Sequence, residues 1–248
     1  MTATAFDRIA PSYSDLWSTT PAGEMQREAV WRLIVPLFPA GSRALDIGCG
    51  IGDDALALQA RGVHVTAIDA SSEMVRNARA RGVEAVVQAA ENPGGLDGPY
   101  DAILSNFGTL NCVENLAALR PFLAHLTRAG GWLAICLMSR LCAWETIWYL
   151  LRGDLTRATR RWSGEASSSL APRVFYPTIT NMRHAFEPDF TLCSWHGIGL
   201  AVPPSYVTGL SASRIRRLAE LDGHIASLPL LRVLSDHRLL LFRKVMPC

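Results

Sequence analysis

Residues 44–54 read ALDIGCGIGDD. The preceding run, RALDI over residues 43–47, is short, apolar and β-prone. Glycines at 48, 50 and 52 break it, and Asp53 and Asp54 open a helical segment that runs over 53–62 and stops at Gly62. Strand, glycine turn and helix in that order form the first unit of an α/β fold.

The same alternation continues downstream. VHVTAID (63–69) reads as a second strand. SSEMVRNARARG (71–82) reads as a helix with a serine cap, Glu73 in its first turn and Gly82 at its end. VEAVVQ (83–88) and YDAILS (100–105) read as strands three and four. VENLAALRPFLAHLTRAGG (113–131) is predicted to be a helix, and WLAICLMS (132–139) a fifth strand. Strands alternating with helices at this spacing predict a parallel sheet covered on both faces, and right-handed crossovers make it doubly wound. Before residue 43, GEMQREAVWRLIVPLF (23–38) carries Met25, Ala29, Val30, Leu33 and Ile34 at helical spacing, which predicts an N-terminal helical arm. After residue 139 the alternation stops. Residues 140–188 read as mostly helical with loops, 189–199 as a strand, 203–224 as a proline loop leading into a helix, and 236–245 as a last strand.

Composition narrows the function. The chain has 248 residues, 49% of them apolar, a net charge of +2 and a pI near 8.3. That charge is too mild to argue for nucleic acid or an acidic membrane surface as a partner. The six cysteines form no CxxC pair and no zinc spacing, so no metal site is expected. The N-terminus lacks a basic start followed by an apolar run, and LCAWETIWYLL (141–151) is too short to span a bilayer and carries Glu145. The expectation is a soluble, cytoplasmic protein. The sequence gives no indication of oligomeric state.

The glycine turn distinguishes between ligands. Dinucleotide sites use GxGxxG, with the pyrophosphate at the helix N-terminus. Here the pattern is GxGxG, and Asp53 stands where the third glycine would be. Its carboxylate would repel a pyrophosphate. Asp46, two residues before the first glycine, suits a ligand with an ammonium group. S-adenosylmethionine (SAM) has such a group and no phosphate. Asp69, at the end of the second strand, can accept both hydroxyls of a ribose, which fits NAD and SAM equally.

With these residues in place, the chain resembles a class I SAM-dependent methyltransferase of the small-molecule type. ALDIGCGIGD resembles the first motif and VTAIDASSEMVRNAR the second. QAAENP resembles the adenine segment, YDAILSNFGTLNCV the fourth motif, and AGGWLAICLMS the entry to strand five. The opening FDRIAPSYSDLW is similar to an arm that folds over the cofactor. The resemblance implies a Rossmann-like sheet of order 3-2-1-4-5-7-6, with strand seven antiparallel. It implies one domain: an arm (1–42), a SAM-binding core (43–139), a mostly helical lid including strand six (140–212), and a final helix and strand (213–248).

The resemblance also implies roles. Gly48, Cys49 and Gly50 would approach the methionine part of SAM, with Asp46 beneath its ammonium. Asp69 would hold the ribose, Ala70 and Met74 would flank the adenine, and Ala90 and Glu91 would lie near its amino edge. Ser105, Asn106 and Phe107 would pass along the sulfonium, and Tyr13 and Trp17 would close the arm. Many relatives place an acid just before the Ala-Glu pair, where this chain has Ala89. The product would be S-adenosylhomocysteine.

The acceptor side is written less clearly. SNFG (105–108) lacks the Asn/Asp-Pro-Pro-aromatic turn of enzymes that methylate nucleic-acid bases, which argues against a nucleic-acid substrate. The lid holds ten of the twenty aromatic residues, read as the wall of an apolar acceptor pocket, with Trp144, Trp148 and Tyr176 as candidates. Arg157, Arg160 and Arg161 could grip an acidic acceptor, although a solvated helix face is the preferred reading. Of His184, His196, His224 and His237, His196 is the preferred candidate base, with Tyr206 as a second. The function expected is methyl transfer to the oxygen, nitrogen or carbon of a small, partly apolar acceptor in bacterial specialised metabolism. The alternatives are SAM binding without transfer, a nicotinamide oxidoreductase, which GxGxG disfavours, and an RNA or protein methyltransferase, for which a recognition module is missing.

Overall fold

The computed structural model of the chain describes residues 3–92, 95–167 and 173–246. Pro93 of the QAAENP segment and residues 168–172 of the expected lid lie outside these. The chain opens with α1 (Ala3–Ile9), a π-helical turn at Ser14–Ser18 and α2 (Pro21–Ile34). Then come β1 (Arg43–Ile47), α3 (Asp53–Gln59), β2 (His64–Asp69), α4 (Ser72–Ala80), β3 (Glu84–Val87) and β4 (Tyr100–Ser105). α5 (Arg120–Leu126) leads straight into β5 (Thr127–Met138). The segment that follows holds α6 (Ala143–Leu150), α7 (Leu155–Thr159), the hairpin strands β6 (Glu165–Ala166) and β7 (Val174–Phe175), and α8 (Ile179–Phe186). β8 (Phe190–Ile198), α9 (Ala212–Ile225) and β9 (His237–Lys244) complete it.

Seven strands form one sheet in the order β3-β2-β1-β4-β5-β9-β8. β1 to β5 are parallel, and β9 runs antiparallel to both β5 and β8. The β6–β7 hairpin stands apart, so the sixth and seventh strands expected from the sequence are β8 and β9. The alternation of side chains along each strand separates two cores. Ala44, Ala67, Ala102, Ala134, Leu239 and Leu241 face the side covered by α2, α3 and α4. Leu45, Ile68, Ile103, Ile135, Leu240 and Phe242 face α5 and α8.

The helix predicted over 113–131 is much shorter, and strand five begins at Thr127 instead of Trp132. Thr127 Oγ1 donates to Leu123 O at 2.6 Å and closes α5. Gly131 then passes so close to β4 that an added Cβ would lie 2.8 Å from Asp101 O, where the β4–β5 register shifts. A side chain at 131 could not keep that pairing. The segment after β5, expected to be mostly helical, also contains the hairpin.

Among the described residues no helix is long and apolar enough to cross a membrane. Phe242 is fully buried, with its ring 5.3 Å from that of Phe186 on α8. Phe242→Ala is expected to lower unfolding free energy by about 3–5 kcal/mol, measured by urea denaturation, with the far-ultraviolet dichroism retained.

Candidate functional site

Ligands in open α/β sheets bind beyond the carboxyl ends of the parallel strands. A cavity of about 340 Å³ lies there, within the roughly 300–1,000 Å³ range of small-molecule sites. Each of the first five strands contributes to it: Gly48 after β1, Asp69 at the end of β2, Gln88 after β3, Asn106 after β4 and Met138 at the end of β5.

The turn after β1 is fixed by its backbone. Gly48 and Cys49 both donate to Ile68 O, at 2.7 and 3.0 Å. Gly48 has φ +76°, and an added Cβ would overlap the Thr109 side chain. The glycine is therefore required by a protein neighbour as well as by any ligand. Asp69 receives the Gly50 N–H on one oxygen and the Ser71 N–H on the other, both at 2.9 Å. Each oxygen has lone-pair capacity left, and the residue lines the cavity. Burial raises its pKa, against the pull of those two N–H groups.

The N-terminus of α3 is already filled. Asp53 is gripped by Ser18 Oγ at 2.5 Å and Arg81 at 2.7 Å. Asp54, 6% exposed, accepts from Arg27 (2.7 Å), Trp31 Nε1 (2.7 Å) and Asn106 Nδ2 (3.1 Å). Two carboxylates paired in this way leave no place for a pyrophosphate. Asp46, 1% exposed, lies behind the turn and does not line the cavity; one of its oxygens has no hydrogen-bond donor. Burial and the charge of Asp54 raise its pKa.

The arm closes this end. Asp7 on α1 accepts from Ser71 Oγ (2.6 Å) and Glu73 N (3.1 Å), so it caps α4 from outside. Tyr13 and Trp17, ring centroids 5.1 Å apart, line the cavity, and Gly23 lets the Trp17 carbonyl approach α2. Burial raises the Tyr13 phenol to about 12. Ala70, Met74 and Ala90 line the cavity next to Asp69, as do Asn106 and Phe107. Cys49, Ser105 and Glu91 are not among the lining residues.

The far end is built around buried charges. Glu145 on α6 receives Arg160 through two hydrogen bonds (2.8 and 2.9 Å), Arg161 at 2.6 Å and the Tyr206 hydroxyl at 2.6 Å. Arg161 also pairs with Asp236 at 3.1 Å. Burial opposes ionisation of Glu145, but the hydrogen bond from Arg160 and the charge of Arg161 hold it at about 2. Arg160, Arg161, Tyr176, Tyr206, Asp236 and His237 all line the cavity. The preferred sequence reading of a solvated face is therefore overturned for Arg160 and Arg161, while Arg157 is exposed as that reading expects; Arg161 is 4% exposed because it has two buried carboxylates to meet.

Trp144 and Trp148 are absent from the lining. The Trp144 indole donates to Ala201 O at 3.0 Å, and Trp148 lies under the Arg152 guanidinium. His196 lines a second cavity, of about 250 Å³, between α2, α9 and β8. His184 on α8 is exposed. The residues that sequence reasoning passed over include Gln26, Arg27, Thr109, Cys112 and Asp236. Only for Asp236 was there a signal, in the antiparallel last strand whose start must lie at the ligand end. Among the described residues no cluster of His, Cys, Asp or Glu is arranged to hold a metal ion.

Glu145→Gln removes a charge that buried Arg161 and half-buried Arg160 need. It is expected to destabilise the fold by about 3–5 kcal/mol. The Glu145 pKa is depressed from 4.5, so its contribution is full above pH 4.5 and is lost as pH falls towards 2. Denaturation of wild type and variant from pH 7 to pH 3 should show the gap between them closing at the acid end.

Comparison with known proteins agrees with this geometry. Residues 44–131 match the family model described as a methyltransferase domain. The chain is 38% identical over 120 residues to a ubiquinone biosynthesis O-methyltransferase of Xylella fastidiosa, covering 44% of this chain and 46% of that one. It is 34% identical over 138 residues to a demethylmenaquinone methyltransferase of Clavibacter sepedonicus, covering 53% and 55%. The chain thus spans about half the length of these relatives. Among solved structures it is similar to the CcbJ methyltransferase of Streptomyces caelestis, with TM-score 0.63, 16% identity and 98% of each chain covered. It is also similar to a S-adenosylmethionine dependent methyltransferase of Mesorhizobium loti, with TM-score 0.58, 17% identity and 87% and 97% covered. Residues 44–131 thus match a methyltransferase domain, and the chain shares its fold, with the sheet order β3-β2-β1-β4-β5-β9-β8, with these methyltransferase structures.

Proposed function

We propose that this chain transfers a methyl group from SAM to a small, partly apolar acceptor. The observation that carries the reading is one continuous cavity. It joins the Gly48–Gly50 turn and Asp69 to a chamber of aromatic and arginine side chains under the segment after β5. The names of the quinone-biosynthesis relatives support a small-molecule acceptor.

The donor end fits SAM on its own residues. Asp69 offers two carboxylate oxygens to a vicinal diol. Ala70, Met74 and Ala90 form an apolar slot for a planar base, and Tyr13 and Trp17 cover it. Asp46, buried behind the turn with an undonated oxygen, suits a nearby ammonium charge. When bound, SAM supplies an electrophilic methyl group on a sulfonium. The chain's residues have to align the acceptor and keep water out, and in such displacements much of the barrier is met by positioning. Phe107, Met138, Val174 and Tyr176 give the acceptor end its apolar wall, and Tyr206, fixed to Glu145, borders it.

Calorimetry on the full chain is expected to show SAM and S-adenosylhomocysteine binding, and no NAD binding. NAD binding alone would sink the proposal. Asp69→Ala loses hydrogen bonds to a charged group, about 1.5–3 kcal/mol, so SAM affinity should fall roughly 10- to 100-fold. An unchanged affinity would remove Asp69 from the ribose.

A further inference from the structure

His237 is the first residue of β9, and backbone pairing holds it from both sides, opposite Met138 of β5 and Ile198 of β8. Among the described residues it is the one histidine that lines the main cavity. Its ring meets that of Phe107 edge to face, with centroids 5.1 Å apart. Its Nδ1 lies 3.3 Å from Asp236 Oδ2. Asp236 is held in turn by Arg161 and by Gln26 Nε2 at 3.4 Å. The Nδ1 contact is not a finished hydrogen bond, and catalytic contacts of this kind commonly tighten when substrate binds.

A neutral imidazole carries one proton. With Nδ1 turned to a carboxylate, that proton belongs on Nδ1, and Nε2 keeps its lone pair. We propose that His237 is the general base that takes the proton of a phenolic hydroxyl acceptor, with Asp236 as its positioning residue. The inference rests on the methyl-transfer reading above. As the acceptor oxygen forms its bond to the methyl carbon, its proton passes to His237 Nε2. The carbon–sulfur bond of the donor breaks with its electron pair left on sulfur. The products are a methyl ether, a neutral thioether and an imidazolium, so the positive charge passes from the sulfonium to a ring beside Asp236.

The ring shares its cavity with Asp236, which precedes it, Arg161 from the turn after α7, Gln26 and Arg27 from α2, and Asn106 from the end of β4. Burial lowers the His237 pKa from 6.5; Asp236 opposes this and Arg161 adds to it. The ring is therefore neutral at pH 7. A base this weak suits an aryl hydroxyl, which becomes strongly acidic as the new bond forms. The apolar wall of Phe107, Met138 and Val174 suits an aryl body.

Nitrogen-15 spectra of the histidine rings in the full chain, assigned with His237→Gln, test the first half without any acceptor. The expected result is an Nδ1–H ring at pH 7.5 that titrates below pH 6.5. In Asp236→Asn the preference for Nδ1–H should weaken and the midpoint should fall. An Nε2–H ring in wild type, or a midpoint above 6.5, overturns the proposal. The second half uses labelled SAM and 4-methylcatechol as the phenolic probe. Wild-type kcat should fall as pH drops through the His237 midpoint. His237→Gln should cut kcat by about 100-fold and abolish that acid limb, while SAM still binds in the calorimeter. An unchanged rate and profile in the variant overturns the assignment, and wild type that binds SAM but leaves the catechol unmethylated overturns the phenolic acceptor. Failure of SAM to bind at all would instead count against the methyl-transfer reading, and the ring tautomer would still decide the role of His237.

Discussion

The end of the cavity under the segment after β5 depends on keeping one guanidinium out of water. Arg161 gives up its hydration to meet Glu145 of α6, Asp236 ahead of β9 and the carbonyl of Ser139 just past β5. Taking such a charge into the interior costs several kcal/mol unless its partners are in contact and well aimed. The three partners come from three separate stretches of chain, so their alignment fixes all three stretches at once. An apolar cluster of equal volume could hold them together with comparable stability. What the ions add is direction: Glu145 is left with an oxygen aimed at the Tyr206 hydroxyl, and Asp236 with one facing His237.

The glycine-turn end is built by a different rule, and this explains how much of the molecule was legible in its sequence. The Gly48–Gly50 turn and Asp69 are joined through backbone N–H groups within a span of about twenty residues. Interactions that local and that dependent on residue type leave a pattern in the chain, and the sheet order follows from the alternation of elements. One glycine was legible for an incomplete reason. Gly48 yields room to Thr109, sixty-one residues away, and no local pattern announces that.

Side-chain partnerships across long separations leave no such pattern. The acid nearest to Arg160 and Arg161 in sequence, Glu165, lies past Gly164 and pairs with Arg173, so near neighbours do not reveal their partner. Their acid is fifteen and sixteen residues upstream, on another helix. Trp144 and Trp148 show the converse. Aromatic bulk signals burial but carries no direction. Trp144 turns towards a carbonyl at residue 201 and away from the cavity, and Trp148 towards an arginine. The helix read over 113–131 failed for a related reason. Its last five residues look helical until a glycine is needed at 131 against the Asp101 carbonyl, a contact made across the sheet.

The two histidines separate on topology alone. His196 stands opposite Leu239, well inside the β8–β9 ladder, on the face that packs against α2. His237 is at the end of the same ladder, where an antiparallel last strand must begin beside the carboxyl end of β5. The position of its backbone is thus set by hydrogen-bonded strands on either side, and the direction of its ring by Asp236 and Phe107. Groups carried on sheet are placed more accurately than groups on loops. The rest of the wall, in contrast, comes from the segment between β5 and β8, which adds Val174 and Tyr176, and the two arginines beside them, without touching the sheet's register. A change of cavity shape can be met in that segment while the imidazole and the glycine turn stay where the strands put them.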